Sequence, residues 1–478
     1  MVHSRQPGES SMSVHHETRV GSGAARALRS LAAASALAGI AACSGESGNA
    51  LSPGAINASV ATISIEPVPA PLLAGDTVQL AAVARDDEGR VVERANLTWS
   101  VSDEQRASLL PGGRLVGVGH GLVTVSASAG SATASAAVTA RLTTEERRFA
   151  YAWIHDPSAS AQYLPTSSYQ HNETGGAIRV ARQAVGQYVV SFERLAKVDS
   201  AFRETVIVTP HGASGERCHL GGWGNNANGR DLDVTVSCFT FAGASVDARF
   251  AVLVVGSRSL PSRLGFTVAG SAESSFAADP AHTYASFAER VAIARSTAGS
   301  YLVQWNATGD NTPQNYFVST YGGAPDLCKV SSWNRGVWAS VICYNPSGAL
   351  ADARFSLLMV ESGRPGKRFG FAWANDPVSP LGTPYTPSLE YQRTSSGGIV
   401  TVTRRATGHY VVSFPGLAKS GSRPETVHVS PYGGGLFACQ VQGWSNSADA
   451  SALEATVRCW NRGNGLPADT YFTVLVLE

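Results

Sequence analysis

Charge is scarce in this 478-residue chain. Asp, Glu, Lys and Arg make up 15% of it, and 37 basic against 36 acidic residues leave a formal charge of +1. No basic run is present to neutralise a phosphate backbone, which excludes nucleic acid as the partner. The apolar stretch near the N-terminus covers about a dozen residues, where a spanning helix needs roughly 20. Also absent are a Gly-x-Ser-x-Gly elbow, a His-Glu-x-x-His pair and a phosphate-cradling loop ending in Lys-Ser/Thr. Zinc takes close Cys-x2-Cys or His-x3-His pairs, and none occurs. The acidic pairs Asp86/Asp87 and Asp231/Asp233 fall in turns, whereas a glycosidase needs two carboxylates converging across a cleft. The expectation is a non-enzymatic protein with no catalytic residues, no metal and no cofactor.

What is plentiful is Gly, Ser, Thr, Ala and Val, a composition of strands and turns. The length corresponds to about three or four domains. The fold class expected is all-β and multi-domain, one Ig-like β-sandwich followed by three homologous β-sandwich modules.

The N-terminal segment reads as an address. Arginines from Arg19 precede the apolar stretch, which ends in Ile40-Ala41-Ala42-Cys43. Those four residues resemble the bacterial lipobox. The resemblance implies lipidation of Cys43, a membrane partner through that lipid, and a place in the cell envelope or on the cell surface. The alternative is cleavage near Ala42 and plain secretion. Met1 and Met12 are both possible starts. Residues 1–43 are thus a signal peptide with lipobox, and 44–60, rich in Gly, Ser and Asn, a flexible linker.

Residues 61–140 alternate with period two between turn signals. Ile63-Ser64-Ile65, Gly75-Asp76-Thr77, Leu97-Thr98-Trp99-Ser100, the Gly113-to-Gly117 segment and Gly121-Leu122-Val123-Thr124-Val125 resemble the bacterial Ig-like group 2 (BIG2) domain. The resemblance implies a β-sandwich spacer or adhesin module with Trp99 in its core.

The remainder repeats. Arg-x3-Gly-x-Tyr-x-Val-x-Phe/Trp begins at Arg182, Arg295 and Arg404, about 110 residues apart. That period means whole domains, with boundaries at 147–256, 263–361 and 367–478. Pro165/Tyr169, Pro280/Tyr284 and Pro387/Tyr391 keep the same step. Asp247, Asp352 and Asp469 open closing phrases followed by runs apolar on both faces, as in a buried strand. About 105 residues per copy leave room for roughly six to eight strands. The copies resemble uncharacterised secreted bacterial repeats, and that resemblance implies no activity.

Setting Cys43 aside leaves three cysteine pairs, Cys218/Cys238, Cys328/Cys343 and Cys439/Cys459, one per copy. Strand parity turns their sulfurs toward the core, and in an oxidising compartment each pair is a disulfide worth about 3 kcal/mol for a loop of about 20 residues. Trp223, Trp333 and Trp444 each stand five residues after the first cysteine. His219 becomes Lys329 and Gln440 in the other copies, which argues against a histidine ligand.

One feature points to binding. Trp153 with Asp156 and Tyr163 in the first copy matches Trp373 with Asp376 and Tyr385 in the third, while Val268 takes the tryptophan position in the second. The plain account is a strand-end core tryptophan followed by an Asp-Pro turn. The functional account is an aromatic platform beside a carboxylate, suited to a sugar face. The leading expectation is a structural and adhesive surface lipoprotein. The alternative is a carbohydrate-binding or polysaccharide-processing surface protein, with a polysaccharide or another surface protein as partner.

Overall fold

Alternating apolar residues and glycine-rich turns produce strands almost throughout. In the computed structural model the described residues are 60–478, apart from 69–71, 74–75, 105, 119–120, 142–147, 198–202, 261–262, 271–275, 308–311, 365 and 422. The signal segment, Cys43 and nearly all of the linker lie outside them. The described residues belong to one unit, Ala58–Glu478. Among the described residues the helices are three-residue 3-10 turns, at Ser167–Tyr169, Pro280–His282 and Leu389–Tyr391. The protein is all-β and multi-domain, built from several discrete sheets.

The 61–140 stretch forms three small sheets. Thr62–Ile65 pairs with Ala82–Arg85, Arg114–Gly117 lies between Thr77–Gln79 and Ala107–Leu110, and Gly121–Ala129 lies between Thr98–Val101 and Ala132–Arg141. Leu72, Leu80, Leu115, Val123, Val125 and Val138 form its core, and Trp99 packs against that core while staying half-buried.

Each repeat supplies two layers, an inner one of four strands and an outer one of four, five or six in the first, second and third copies, with its own apolar core between them. In the first copy the inner layer runs Gln170–Asn172, Phe149–Ile154, Arg249–Gly256, Glu204–His211, and the outer layer Ile178–Ala184, Gln187–Phe192, Leu232–Phe239, Arg217–Asn225. Tyr188, Val190, Phe192, Cys218, Leu220 and Cys238 all point into that core, as their parity requires.

The copies are not independent modules. The outer layer of each continues, edge to edge and parallel, into the inner layer of the next. Gly322 N–H donates to Leu220 O at 2.7 Å, Gly433 N–H to Val330 O at 2.9 Å and Gly212 N–H to Val441 O at 3.0 Å. Corresponding bridges are Leu220 with Tyr321, Val330 with Tyr432, and Val441 with His211. First joins second, second joins third, and third joins first, so the three copies close a ring. Closure leaves no free edge at these strands, where an open row of N–H and C=O groups would invite association.

Closure also explains why the runs after Asp247, Asp352 and Asp469 are apolar on both faces. Phe250, Val252 and Val254 face the first copy's own core, whereas Leu253 and Val255 face the ring centre. Phe149, Phe266, Phe317, Phe371, Leu358 and Leu475 meet there from all three copies. Full burial of each such side chain contributes about 1.5–3 kcal/mol.

The register corrects one landmark. Pro280 and Tyr284 are not the counterparts of Pro165 and Tyr169. The 3-10 turns end on Tyr169, His282 and Tyr391, while Tyr284 pairs with Phe266 as His171 does with Tyr151. The second copy reaches the same turn through a shifted proline, which spacing counted from proline misreads.

Candidate functional site

The recurring residues assemble into staples. Asp247 accepts from Arg182 Nε and Nη2 at 2.9 and 2.8 Å, from Gly186 N–H at 2.8 Å and from Tyr188 Oη at 2.9 Å. Asp352 does the same with Arg295, Gly299 and Tyr301, and Asp469 with Arg404, Gly408 and Tyr410. The Arg-x3-Gly-x-Tyr phrase and the distant aspartate are therefore one charge-assisted cluster. Arginine holds the Asp247 and Asp352 carboxyls down to about 2. In Asp469 burial pushes upward, but Arg404, Gly408 and Tyr410 outweigh it and its pKa is lowered. The glycine is required: φ is +69°, +67° and +63° at Gly186, Gly299 and Gly408, and an added Cβ would lie 2.6, 2.5 and 2.3 Å from the carbonyl oxygens of Cys238, Cys343 and Cys459.

All three cysteine pairs are disulfides bridging directly opposed residues of an antiparallel hairpin. The residue after the first cysteine has a role that its variability hid. His219 Nδ1 lies 3.0 Å from Ala324 O of the second copy, Lys329 Nζ donates to Gly434 O of the third at 2.9 Å, and Gln440 Nε2 donates to Glu216 O of the first. Three different polar side chains make the same contact to the next copy's loop. All three are buried at the ring axis, where His219 lines a cavity of about 40 Å³ that holds the first cysteine of each pair. Burial pushes Lys329 down to about 7, and burial followed by the nearby Arg217 charge pushes His219 down to about 3.

Trp153 and Trp373 are half-buried at two of the three joints. Trp153 packs edge-to-face on Tyr169 and on Trp444 of the third copy, with centroids 5.1 and 6.1 Å away, and lies 6.2 Å from His211. Trp373 sits 5.6 Å from Trp333 of the second copy, 5.2 Å from Tyr391 and 5.0 Å from Tyr432. At the remaining joint Trp223 meets His282 and Tyr321, with Val268 in the inner strand. Trp333, Trp444, Tyr169, Tyr391, Tyr432 and His211 thus belong with the two tryptophans singled out in the sequence. The recurring tryptophan after each first cysteine was their signal, but its neighbour lies in another copy and no spacing within one copy reveals it.

Cations cover these aromatics. Lys419 Nζ lies 4.9 Å over the Tyr169 ring and donates to Ser168 O at 3.2 Å, and the Arg335 guanidinium lies 5.7 Å over Tyr391. Tyr163 and Tyr385 are spent on local structure. Their hydroxyls accept the backbone N–H of Asp156 at 3.3 Å and of Asp376 at 3.2 Å, pinning the Asp-Pro turns, while their rings pack on the cores. Asp86 likewise accepts from Glu88 and Arg90 N–H, and Asp231 from Arg194 N–H, Asn226 and Asn228. Among the described residues no group of three or more His, Cys, Asp or Glu side chains could hold a metal. Comparison with protein-family models and with curated proteins returns no match, so the residues themselves carry the functional argument.

Proposed function

We propose that the chain is a non-enzymatic surface lipoprotein, anchored through Cys43, carrying a BIG2-like spacer and a closed three-copy head that presents loops to a partner. One observation supports this above others: what recurs in all three copies is consumed by architecture. The Arg–Asp–Gly–Tyr staples, the disulfides and the glycine N–H joints hold the ring, and the loops outside them differ from copy to copy. Repetition here builds a scaffold. The test is fractionation of cells expressing the full chain. The parent partitions with the membrane and is digested by protease added to whole cells; Cys43→Ser moves to the soluble fraction. Unaltered partitioning of the variant overturns the anchor.

A second reading, carbohydrate binding, is favoured by the paired aromatic clusters at two joints and their covering cations. Its test is a glycan array with Trp153→Ala and Trp373→Ala. Loss of binding with an unchanged circular dichroism spectrum supports it, and unchanged binding overturns it.

A further inference from the structure

The ring axis ends in a recess of about 400 Å³ lined by Phe241 and Ala242 of the first copy, Pro346 and Ser347 of the second, and Leu436 and Arg462 of the third, among others. Phe241, Pro346 and Arg462 stand two residues past corresponding register positions, Phe239, Tyr344 and Trp460. One layer deeper, Arg217, Leu327 and Ala438 are opposite those same three residues. Each layer therefore carries one arginine, from two different copies.

The two arginines converge. Arg217 Nη2 and Arg462 Nη2 donate to the same acceptor, Pro325 O of the second copy, at 2.8 and 3.0 Å. Arg217 is 3% exposed and Arg462 6%. Nε of Arg217, and Nε and Nη1 of Arg462, are buried without a hydrogen-bond partner. Arg217 Nη1 also donates to Phe241 O at 3.5 Å, so two neutral carbonyls stand where two buried guanidinium groups call for anionic acceptors. Planar forks of this kind match the paired oxygens of a carboxylate, sulfate or phosphate, and unpaired burial of such charges is costly. Asp326 is the acid that acts on both arginines, and burial raises its pKa above the usual carboxylate value, which weakens it as a counter-charge. Burial and the neighbouring Arg462 push Arg217 down to about 9. Lys329 and His219, deeper on the axis, add no negative charge.

The geometry points to an oxyanion site at the mouth of the ring axis, in which Arg462 binds a sulfate, phosphate or carboxylate group, free or carried on a polysaccharide, and Arg217, one layer deeper, adds its charge. The site exists only in the closed ring, because its cations and their shared carbonyl come from three copies. It is independent of the anchoring proposed above, so failure of either leaves the other standing.

The test is thermal unfolding and titration calorimetry of the full chain with sodium sulfate or phosphate, ionic strength being held constant with chloride. The parent shows a saturable rise in Tm, as ligand linkage requires. Arg462→Gln weakens the response at least tenfold. Ser347→Glu, on an exposed rim loop that tolerates the change, places a carboxylate in the recess and abolishes the response without lowering the ligand-free Tm. Salting-out by sulfate acts on all surfaces and is equal in parent and variants. No saturable response in the parent, or responses of parental size in both variants, overturns the site. Binding of dextran sulfate but not dextran, competed by inorganic sulfate, assigns the oxyanion to a polymer; a response to inorganic anions alone assigns it to a free ion.

Discussion

Mild acid should loosen the ring before it touches the aspartate staples. His428 occupies the ring-facing position taken by Ile207 and Phe317 in the other copies, and its imidazole spans Thr209 Oγ1 at 2.9 Å and Thr426 Oγ1 at 3.0 Å. Burial pushes His428, His211 and His219 each down to about 3, against 6.5 for a free imidazole. The folded state thus holds all three neutral, while the unfolded chain takes up protons below pH 6.5. Stability is unaffected by these groups well above 6.5 and falls as pH drops from 6.5 toward 3. At pH 5 each histidine costs about 2 kcal/mol, and three together about 6 kcal/mol. That is a large share of a stability of roughly 5–15 kcal/mol. Asp247 and Asp352, held near 2, lose their contribution only as pH falls from 3.8 toward 2, so at pH 5 the histidines have acted and these staples have not. Guanidinium unfolding at pH 7 and pH 5 measures the difference, and His428→Phe should shrink it by about 2 kcal/mol. Comparing pH differences cancels the neutral-pH cost of stranding two threonine hydroxyls. Buried Glu361 and Glu425, whose pKa values burial raises, work in the opposite direction but equally in parent and variant. A parent equally stable at both pH values, or a variant with an unchanged difference, refutes the reasoning.

Two further outcomes follow from the same contacts. Asp469→Ala strands the Arg404 guanidinium and removes the acceptor of Gly408 N–H and Tyr410 Oη, and should cost about 3 kcal/mol or more in a denaturant titration, whereas Asp449→Ala in an exposed loop should leave the midpoint nearly unchanged. Deleting residues 367–478 uncovers the strands Glu204–His211 and Leu327–Asn334 and strips Phe369, Phe371, Leu475 and Leu477 from the central core, so the shortened chain should elute as oligomers or aggregate on size exclusion. A monomeric, cooperatively unfolding product would show that ring closure is dispensable.

Local physics settled much of this protein in the sequence. Period-two alternation and turn residues determined strands throughout 60–478, and strand parity aimed Cys218 and Cys238 inward because only one face of a half-buried strand can be apolar. The matching phrases determined that there are three copies and which residues build them. Tertiary structure decided what those residues are for. Arg182 and Asp247 are 65 residues apart, and only the folded copy brings them together. Trp153 meets Trp444, and Arg217 meets Arg462, across joints between copies, where strand edges pair by backbone groups that every residue carries alike. Side-chain patterns report which face of a strand is buried; they are silent about which edge it shares. The closed ring, its polar axis and its doubled arginines were therefore invisible until the edges had found one another.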